Sequence, residues 1–504
     1  MTLAWKATRT MLLSEIVADA GNLESSAPSA VQVTGITHDS RFVKPGDLFV
    51  CLVGAKFNGH RYAADALARG AAAFVVQRGE DPGIASAAPL VIAENTRKSL
   101  PSIAAAFYGH PSRKMKLVGV TGTNGKTTTT RLIASILRAQ GLCSGTIGTL
   151  GSELMGKPFP SEHTTPEADQ LQGILASMLD QGAQAITMEA SSHALDQDRT
   201  GGCEFDAGVF TNLTQDHLDY HQTMDSYRNA KLKLFRDYPA ASSKPFVAAI
   251  NLDDPSGGLF AKETAGRTVT YSIRHAADIV ARDIALSAER VQFTATTPQG
   301  DFDFELSIGG AFQVYNALAA IATGIGLGVS PETIAQGLKA VENVPGRFEA
   351  VPNDRGFGVI VDYAHTPDGL ANLIQAARKL NPRRIILVFG CGGDRDKTKR
   401  PLMGRLGANH TEIAIVTSDN PRTEDPNLII EDILSGMDGA SAKVEVEADR
   451  RAAIMSAIEQ AVEGDIVLIA GKGHEDYQIV GTQVLAFDDR QVARECLAEL
   501  EGAR

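Results

Sequence analysis

The chain has 504 residues, with 60 acidic against 48 basic side chains, a formal charge of −12 and a 43% apolar share. At about 100–200 residues per domain the length predicts three domains, and the apolar share excludes a disordered chain. The acidic balance excludes a basic surface for nucleic acid, so an anionic substrate must be met by local lysines, arginines, backbone amides or metal ions.

Cys51, Cys143, Cys203, Cys391 and Cys496 are scattered and form no C-x-x-C pair. That usage argues against a disulfide framework or a zinc site and suits a reducing cytoplasm. The opening MTLAWKATRTMLLSEIV lacks the apolar core and cleavage site of a secretory signal. The uncharged stretch 306–331 is long enough to span a bilayer, but it contains Gln313, Asn316 and repeated glycines. NALAAIATGIGLG therefore reads as a buried, closely packed helix, and the expectation is a soluble protein without membrane insertion.

The first segment runs over residues 1–112. Leu48-Phe49-Val50-Cys51-Leu52 and Ala73-Phe74-Val75-Val76 predict short strands with an Ala-rich helix between them. GHPSRK at 109–114 is turn-rich and polar, the composition of a linker. The second segment, 113–345, opens on the buried strand Lys116-Leu117-Val118-Gly119-Val120, then TGTNGKTTTT. Leu132, Ile133, Ile136 and Leu137 follow at helical spacing. AITME, ending at Glu189, and GVFTN, ending at Asn212, each run into a polar loop, as strands of a parallel α/β sheet do. RVQFTAT and DFDFELS around Pro298-Gln299-Gly300 predict a hairpin. The turn-like VPGRF at 344–348 opens the third segment, 346–504. Its strands GVIVDYA, RIILVFG, EIAIVTS and DIVLIAG, with helices between, predict a second α/β domain. The fold class expected is α/β with three domains: a smaller N-terminal one, a central P-loop ATPase-like parallel sheet and a Rossmann-like C-terminal one.

Gly122, Thr123, Asn124, Gly125, Lys126, Thr127 and Thr128 carry the strongest local signal. Phosphates need many N–H donors and close backbone approach, which the glycines and a helix N-terminus supply. Lys126 can reach the β/γ-phosphates, and the Thr127 hydroxyl can ligate Mg2+. The match to G-x-x-x-x-G-K-[ST] is imperfect, because its first glycine should fall at Val120 and Gly119 is one residue early. No N-K-x-D for guanine is present, which favours ATP. Glu189 ends a strand where a second metal-binding carboxylate is useful, although such a glutamate is as often simply solvated. TNLTQDHLDYH crowds Asp216, His217, Asp219 and His221 together. Without H-E-x-x-H or a cysteine pair these are either metal ligands or hydrogen-bonding histidines.

TGTNGKTTTT, MEASSH, TNLTQDHLDYH, NAKLKLF, VPGRFE, DYAHTPD and GCGGDRD occur in the order seen in the Mur ligases, which this chain resembles over nearly its whole length. THDSRFVKPGDLFVCLVG, SDNPRTEDP and AGKGHEDYQ extend the resemblance to both ends. It implies an ATP-dependent amide ligase of peptidoglycan precursor synthesis, cytoplasmic and monomeric. Its acceptor would be UDP-N-acetylmuramoyl-L-alanyl-D-glutamate, activated as an acyl phosphate on the D-Glu γ-carboxylate. Thr127 and Glu189 would help hold one Mg2+ and His217 a second. Lys231 in NAKLKLF matches the lysine carried as a CO2-derived carbamate (N6-carboxylysine), making Lys126, His217 and Lys231 the catalytic set.

The resemblance also distributes the substrates. Ser40 would contact the uridine nucleotide; Thr164, Thr165, Ser191, Gln197 and Arg199 match positions that bind its muramoyl-peptide part. Arg347, Asp362 and His365 would face ATP from the C-terminal side. Asp419, Asn420, Pro421 and Arg422 form the D-N-P-R that accompanies use of meso-2,6-diaminopimelate, with Arg395, Gly471 and Glu475 as further contacts. A guanidinium pairs bidentately with the distal carboxylate that lysine lacks. Thr398 in GGDRDKTKR stands where the family often has glycine. Folylpolyglutamate synthases lack the DNPR context and lysine-adding relatives lack this arginine. A nucleotide-binding switch without ligation is the alternative from another class.

Overall fold

Strand Lys116–Thr121 carries an unbroken apolar run at 117–120 and is accordingly buried on both faces from 117 onward, as a central parallel strand must be. In the computed structural model, which describes residues 9–25, 30–54, 57–84, 88–159 and 163–502 (backbone only for the last two), it sits inside a parallel sheet. Residues 1–8 of the stretch read for a signal lie outside the described residues. The sheet order is Ser144–Gly148, Ala185–Glu189, Lys116–Thr121, Ala207–Phe210, Val247–Asn251, Arg267–Ser272. Gly151–Leu154 and Lys157–Phe159 continue it antiparallel at one edge. Helix Lys126–Ala139 buries Leu132, Ile133, Ile136 and Leu137, the face its spacing predicted. A Cβ on Gly119 would lie 2.9 Å from the Phe205 ring and 3.0 Å from Leu234, so this glycine serves strand–helix packing rather than the loop that follows.

The N-terminal sheet orders Leu23–Ser25, Leu90–Ala93, Ala73–Gln77, Asp47–Val50 and Gly35–Thr37, parallel except for the first pair. Helix Ala63–Ala68 connects the two strands expected from sequence. GHPSRK is more than a polar linker. Gly109 closes helix Thr96–Tyr108 at φ 70°, and Pro111–Lys114 forms a 3-10 turn with Pro111 and Ser112 buried. Ser112 Oγ accepts from Glu204 N at 3.1 Å, so turn composition here marks a packed corner.

The chain divides into two compact units, 1–271 with 319–334 and 272–318 with 335–504. Within the second, Val291–Thr297 and Gly300–Leu306 form the expected hairpin, with Thr297 opposite Gly300. Its larger sheet orders Glu349–Ala350, Gly358–Asp362, Ile466–Ala470, Ile385–Phe389, Ile413–Val416 and Lys443–Val446, parallel after the first pair. Separate apolar clusters line its two faces, one with Leu370, Met403 and Ile433, the other with Ile454, Ala493 and Leu497. This is a doubly wound sheet. DYAHTPD, GKGHE, GCGGDRD and TSDNPR all leave the C-terminal ends of its strands, where such sheets bind ligands. Among the described residues no helix is long and apolar enough to cross a membrane, and Phe312–Gly326 forms the helix expected there.

Candidate active site

The loop after Lys116–Thr121 turns directly into helix Lys126–Ala139, so the helix N-terminus faces the loop. Gly125 is its N-cap at φ 84°; Gly122 has φ 152°, and Thr211 Oγ1 occupies the place a Cβ would take. Neither position tolerates a side chain. The TNLT loop braces this turn. Thr123 N donates to Asn212 O at 2.9 Å, Asn124 N to Asn212 Oδ1 at 2.9 Å and Thr211 Oγ1 to Asn124 O at 2.6 Å. Thr127 and Thr128 are buried in the first helical turn.

Two lysines meet at one carbonyl. Lys126 Nζ donates to Gly122 O at 3.0 Å and to Thr123 O at 2.7 Å, while Lys231 Nζ donates to Gly122 O at 2.8 Å. Lys231 projects from the middle of helix Met224–Ala240, is 1% exposed and lies 4.4 Å over the Tyr227 ring. Among the described residues no carboxylate forms an ion pair with it. Burial pushes its ammonium well below the ordinary lysine range; Lys126 repels it further and Asp216 opposes the shift. Those are the conditions a carbamate needs: an amine that sheds its proton, little water, and a neighbouring cation to pair with the new anion. Lys233 points elsewhere, donating to Leu195 O at 3.1 Å and Asp196 O at 3.2 Å.

Glu189 is not a solvated strand end. It is 1% exposed and accepts from Thr149 N at 2.8 Å and Thr149 Oγ1 at 3.1 Å. His217, at φ 53°, keeps Nε2 3.3 Å from Asp216 Oδ2. Burial holds its pKa down at about 4, with His193, Lys126 and Lys231 adding to the effect and Asp216 opposing it, so its imidazole is neutral and can ligate. His221 is instead a packed histidine, buried with Nε2 3.0 Å from Ser192 Oγ. Among the described residues no three His, Cys, Asp or Glu side chains group as a metal site. The described side chains alone therefore do not make a metal site here, and a carbamate on Lys231 would add the anionic oxygen that Mg2+ prefers.

Ser40 begins the 3-10 turn Ser40–Phe42, capped by Asp39 through Arg41 N at 3.0 Å. Thr165 Oγ1 donates to Glu189 O at 2.8 Å and lies 3.3 Å from Ser191 Oγ, which caps the next helix through Ala194 N. Thr164 Oγ1 lies 3.2 Å from Thr149 Oγ1. Arg199 grips Gln197 Oε1 at 3.1 and 2.8 Å and Thr165 O at 3.3 Å, and pairs with Glu167 at 3.0 Å. The proposed peptide-binding positions thus form one hydrogen-bonded group beside Glu189.

In the second unit, Asp419 and Asn420 are buried, and Arg422 adopts φ 53°. Asn420 Nδ2 donates to Glu475 Oε2 at 2.8 Å, and its Oδ1 accepts from Lys472 Nζ at 3.2 Å and Ile479 N at 2.9 Å. One asparagine thereby ties the DNPR and GKGHE turns together. Arg422 Nη1 donates to Gly393 O at 2.8 Å, bringing in the GCGGD loop. Gly471 has φ 120°, and a Cβ there would lie 2.5 Å from Asp419 Oδ2. Arg395 is exposed and donates to Asp394 O at 3.1 Å. Thr398 has ordinary right-handed dihedrals, φ −65° and ψ −23°, so this loop does not require glycine there. Asp362 accepts from Phe348 N at 2.7 Å and Ala364 N at 2.8 Å. Arg347 lies 4.8 Å over Tyr363, whose ring also meets His365 at 4.6 Å.

Three family models match in the same order: the Mur ligase family catalytic domain over 32–108, the middle domain over 120–324 and the glutamate ligase domain over 346–473. A UDP-N-acetylmuramoyl-L-alanyl-D-glutamate–2,6-diaminopimelate ligase of Geobacillus kaustophilus is 46% identical over 93% of this chain and 95% of its own. The chain belongs to the Mur ligase family. A solved structure bearing the same ligase name superposes with TM-score 0.70 at 34% identity, covering 98% of this chain and 100% of that one. A Thermotoga maritima MurF ligase in complex with ADP shares the fold at TM-score 0.61 and 18% identity, with coverage of 93% and 98%.

The structure also places residues that motif reading did not single out against the candidate ones. Thr149 joins Glu189 to Thr164, Tyr227 lies under Lys231, and Lys472 is fully buried between Asn420 and Glu475. Lys472 stands inside the quoted GKGHE, and a lysine between two glycines was signal enough. Thr149 offered none, since its role exists only through strand pairing.

Proposed function

We propose that this Mur ligase joins an amine of meso-2,6-diaminopimelate to the D-Glu γ-carboxylate of UDP-N-acetylmuramoyl-L-alanyl-D-glutamate, with ATP converted to ADP and phosphate. The domains are assigned as 1–112 for the uridine nucleotide, 113–345 for ATP and 346–504 for the amino acid. Soluble substrates of this kind suit a cytoplasmic enzyme. A carboxylate is a poor electrophile at neutral pH. One γ-carboxylate oxygen attacks the γ-phosphorus, ADP departs, and the acyl phosphate forms. The amine then attacks the acyl carbon, phosphate leaves, and the amine nitrogen loses a proton.

The loop N–H groups at 122–128 and Lys126 hold the phosphates as charge shifts between them. By resemblance to the family, Arg347, Asp362 and His365 are assigned to ATP as well. The Lys231 amine adds to the carbon of CO2 and loses a proton, leaving a carbamate anion. Thr127 and Glu189 would help hold one Mg2+ and His217 a second, with the carbamate as a further anionic ligand; when bound, Mg2+ would offset phosphate charge. Ser40 reads the nucleotide, and Thr164, Thr165, Ser191, Gln197 and Arg199 orient the peptide. Arg422 and Arg395 face the distal carboxylate of diaminopimelate.

The observation that carries the amino-acid assignment is the single hydrogen-bonded joint of Asn420, Lys472 and Glu475, with Arg422 set beside it. Phosphate release with the UDP-dipeptide and either meso-diaminopimelate or L-lysine tests it. Release dependent on both the acceptor and diaminopimelate is expected. Equal rates with lysine overturn the specificity, and release indifferent to either amino acid overturns ligation in favour of a nucleotide switch.

A further inference from the structure

The turn that carries Ser40 is tied to the peptide-binding segment by a feature that the proposed chemistry leaves unused. His38 lies between strand Gly35–Thr37 and the turn's cap Asp39, and its Nδ1 sits 2.9 and 3.0 Å from the two oxygens of Asp169, while His38 N donates to Asp169 Oδ2 at 3.3 Å. Asp169 is 3% exposed in the first turn of helix Ala168–Asp180, directly after the 163–167 loop that holds Thr164 and Thr165. An acidic group there is favoured by the helix N-terminus. Two positions earlier, Glu167 pairs with Arg97 at 3.2 Å and with Arg199 at 3.0 Å. On one short stretch of backbone, Asp169 thus meets the segment beside Ser40 while Glu167 meets Arg199 of the peptide group.

We propose that the His38–Asp169 pair is a positioning device that fixes the spacing between the nucleotide end and the peptide end of the acceptor site. The inference rests on the assignment of Ser40 to the uridine nucleotide and Thr164–Thr165 to the peptide. A ligand that bridges two subsites gains from their fixed spacing, because its second contact is made without further ordering. A ligand filling one subsite gains nothing. Removing the clamp therefore weakens the bridging ligand and spares the short one.

The pair also sets a pH window. Burial disfavours the His38 imidazolium, but Asp169 outweighs it by charge and hydrogen bond, with Glu167 and Asp39 adding to it, and the pKa rises from 6.5 to about 9. Arg97 and Arg199 are engaged by Glu167, and Tyr108 nearby is pushed up by burial, away from this range. The sign follows directly. Stabilisation by the pair is full below the ordinary 6.5, declines above it and is lost as pH passes about 9.

The test is calorimetric binding of UDP and of the UDP-muramoyl-dipeptide to the whole protein without ATP. His38→Asn and Asp169→Asn are each expected to weaken the dipeptide ligand about tenfold while UDP binds as before, and the double variant should lose no more than either single one. In the unmodified protein the ratio of the two affinities should fall as pH passes about 9; uracil ionisation is common to both ligands and cancels in the ratio. Equal weakening of both ligands, or of neither, overturns the clamp, as does a ratio independent of pH should the variants fail to fold. A Ser40→Ala protein that binds UDP as tightly as the unmodified one overturns the underlying assignment instead.

Discussion

Lys231 shows how surroundings set a residue's chemistry. Its helical spacing alone is that of any lysine, the family motif marks it for a carbamate, and in the fold it is sealed beside a second lysine at the Gly122 carbonyl. Lys231→Ala should lower turnover by about 10^2–10^3-fold, the size expected for loss of one charge-stabilising group. Added formate or acetate should restore part of it; unchanged turnover in a phosphate-release assay would refute the carbamate. Arg422 makes the complementary case. Its φ of 53° and its bond to Gly393 O hold the guanidinium in one place. Arg422→Ala should cost diaminopimelate about 1.5–3 kcal/mol in kcat/KM, the worth of a charged hydrogen bond, with no matching loss for lysine. Comparable losses with both amino acids would contradict that role.

At the scale of elements, two glycines three residues apart have separate duties. Gly122 makes room for the loop against Thr211, and Gly119 makes room for the strand against Phe205 and Leu234. Gly122→Ala should abolish ATP binding measured by calorimetry. Gly119→Ala should instead cost about 1–3 kcal/mol of stability through overpacking, read as a lower denaturation midpoint, while the folded fraction still binds nucleotide. The reverse pattern would mean that the glycine one residue early belongs to the phosphate loop. Most of this was legible beforehand, because strand, loop and helix are adjacent in sequence. The TNLT brace was not, since Thr211 and Asn212 reach the loop only through pairing of Lys116–Thr121 with Ala207–Phe210.

At the scale of the whole molecule, one buried charge pair forms a joint beside a functional loop. Arg450 and Asp489 are both fully buried, paired through two bonds of 2.7 Å, and Arg450 also donates to Ala470 O at 3.0 Å. That carbonyl immediately precedes the GKGHE turn. Asp489→Ala would strand a buried guanidinium and should destabilise the protein by about 3–5 kcal/mol in equilibrium denaturation. A loss under 1 kcal/mol would show that the pair contributes little, about the worth of an exposed one. Neither residue stood out in the sequence, because nothing local distinguishes an arginine paired 39 positions away.

The sequence by itself determined the α/β class, the strand–loop–helix of the phosphate loop, the hairpin at Gly300 and the motifs on which the proposed substrate contacts rest. Each is written locally, in periodicity, turn residues or a contiguous motif. Only the tertiary structure decided that Glu189 is sequestered by Thr149, that among the described residues no carboxylate pairs with Lys231, that Asn420 locks two turns and that His38 meets Asp169. Those facts depend on burial and on partners distant in sequence, and both are set by how strands pair and helices pack. The net charge of −12 is the joining point. Composition called for a few placed cations, and the fold sets Lys126 against the 122–123 carbonyls and Arg422 against Gly393 O.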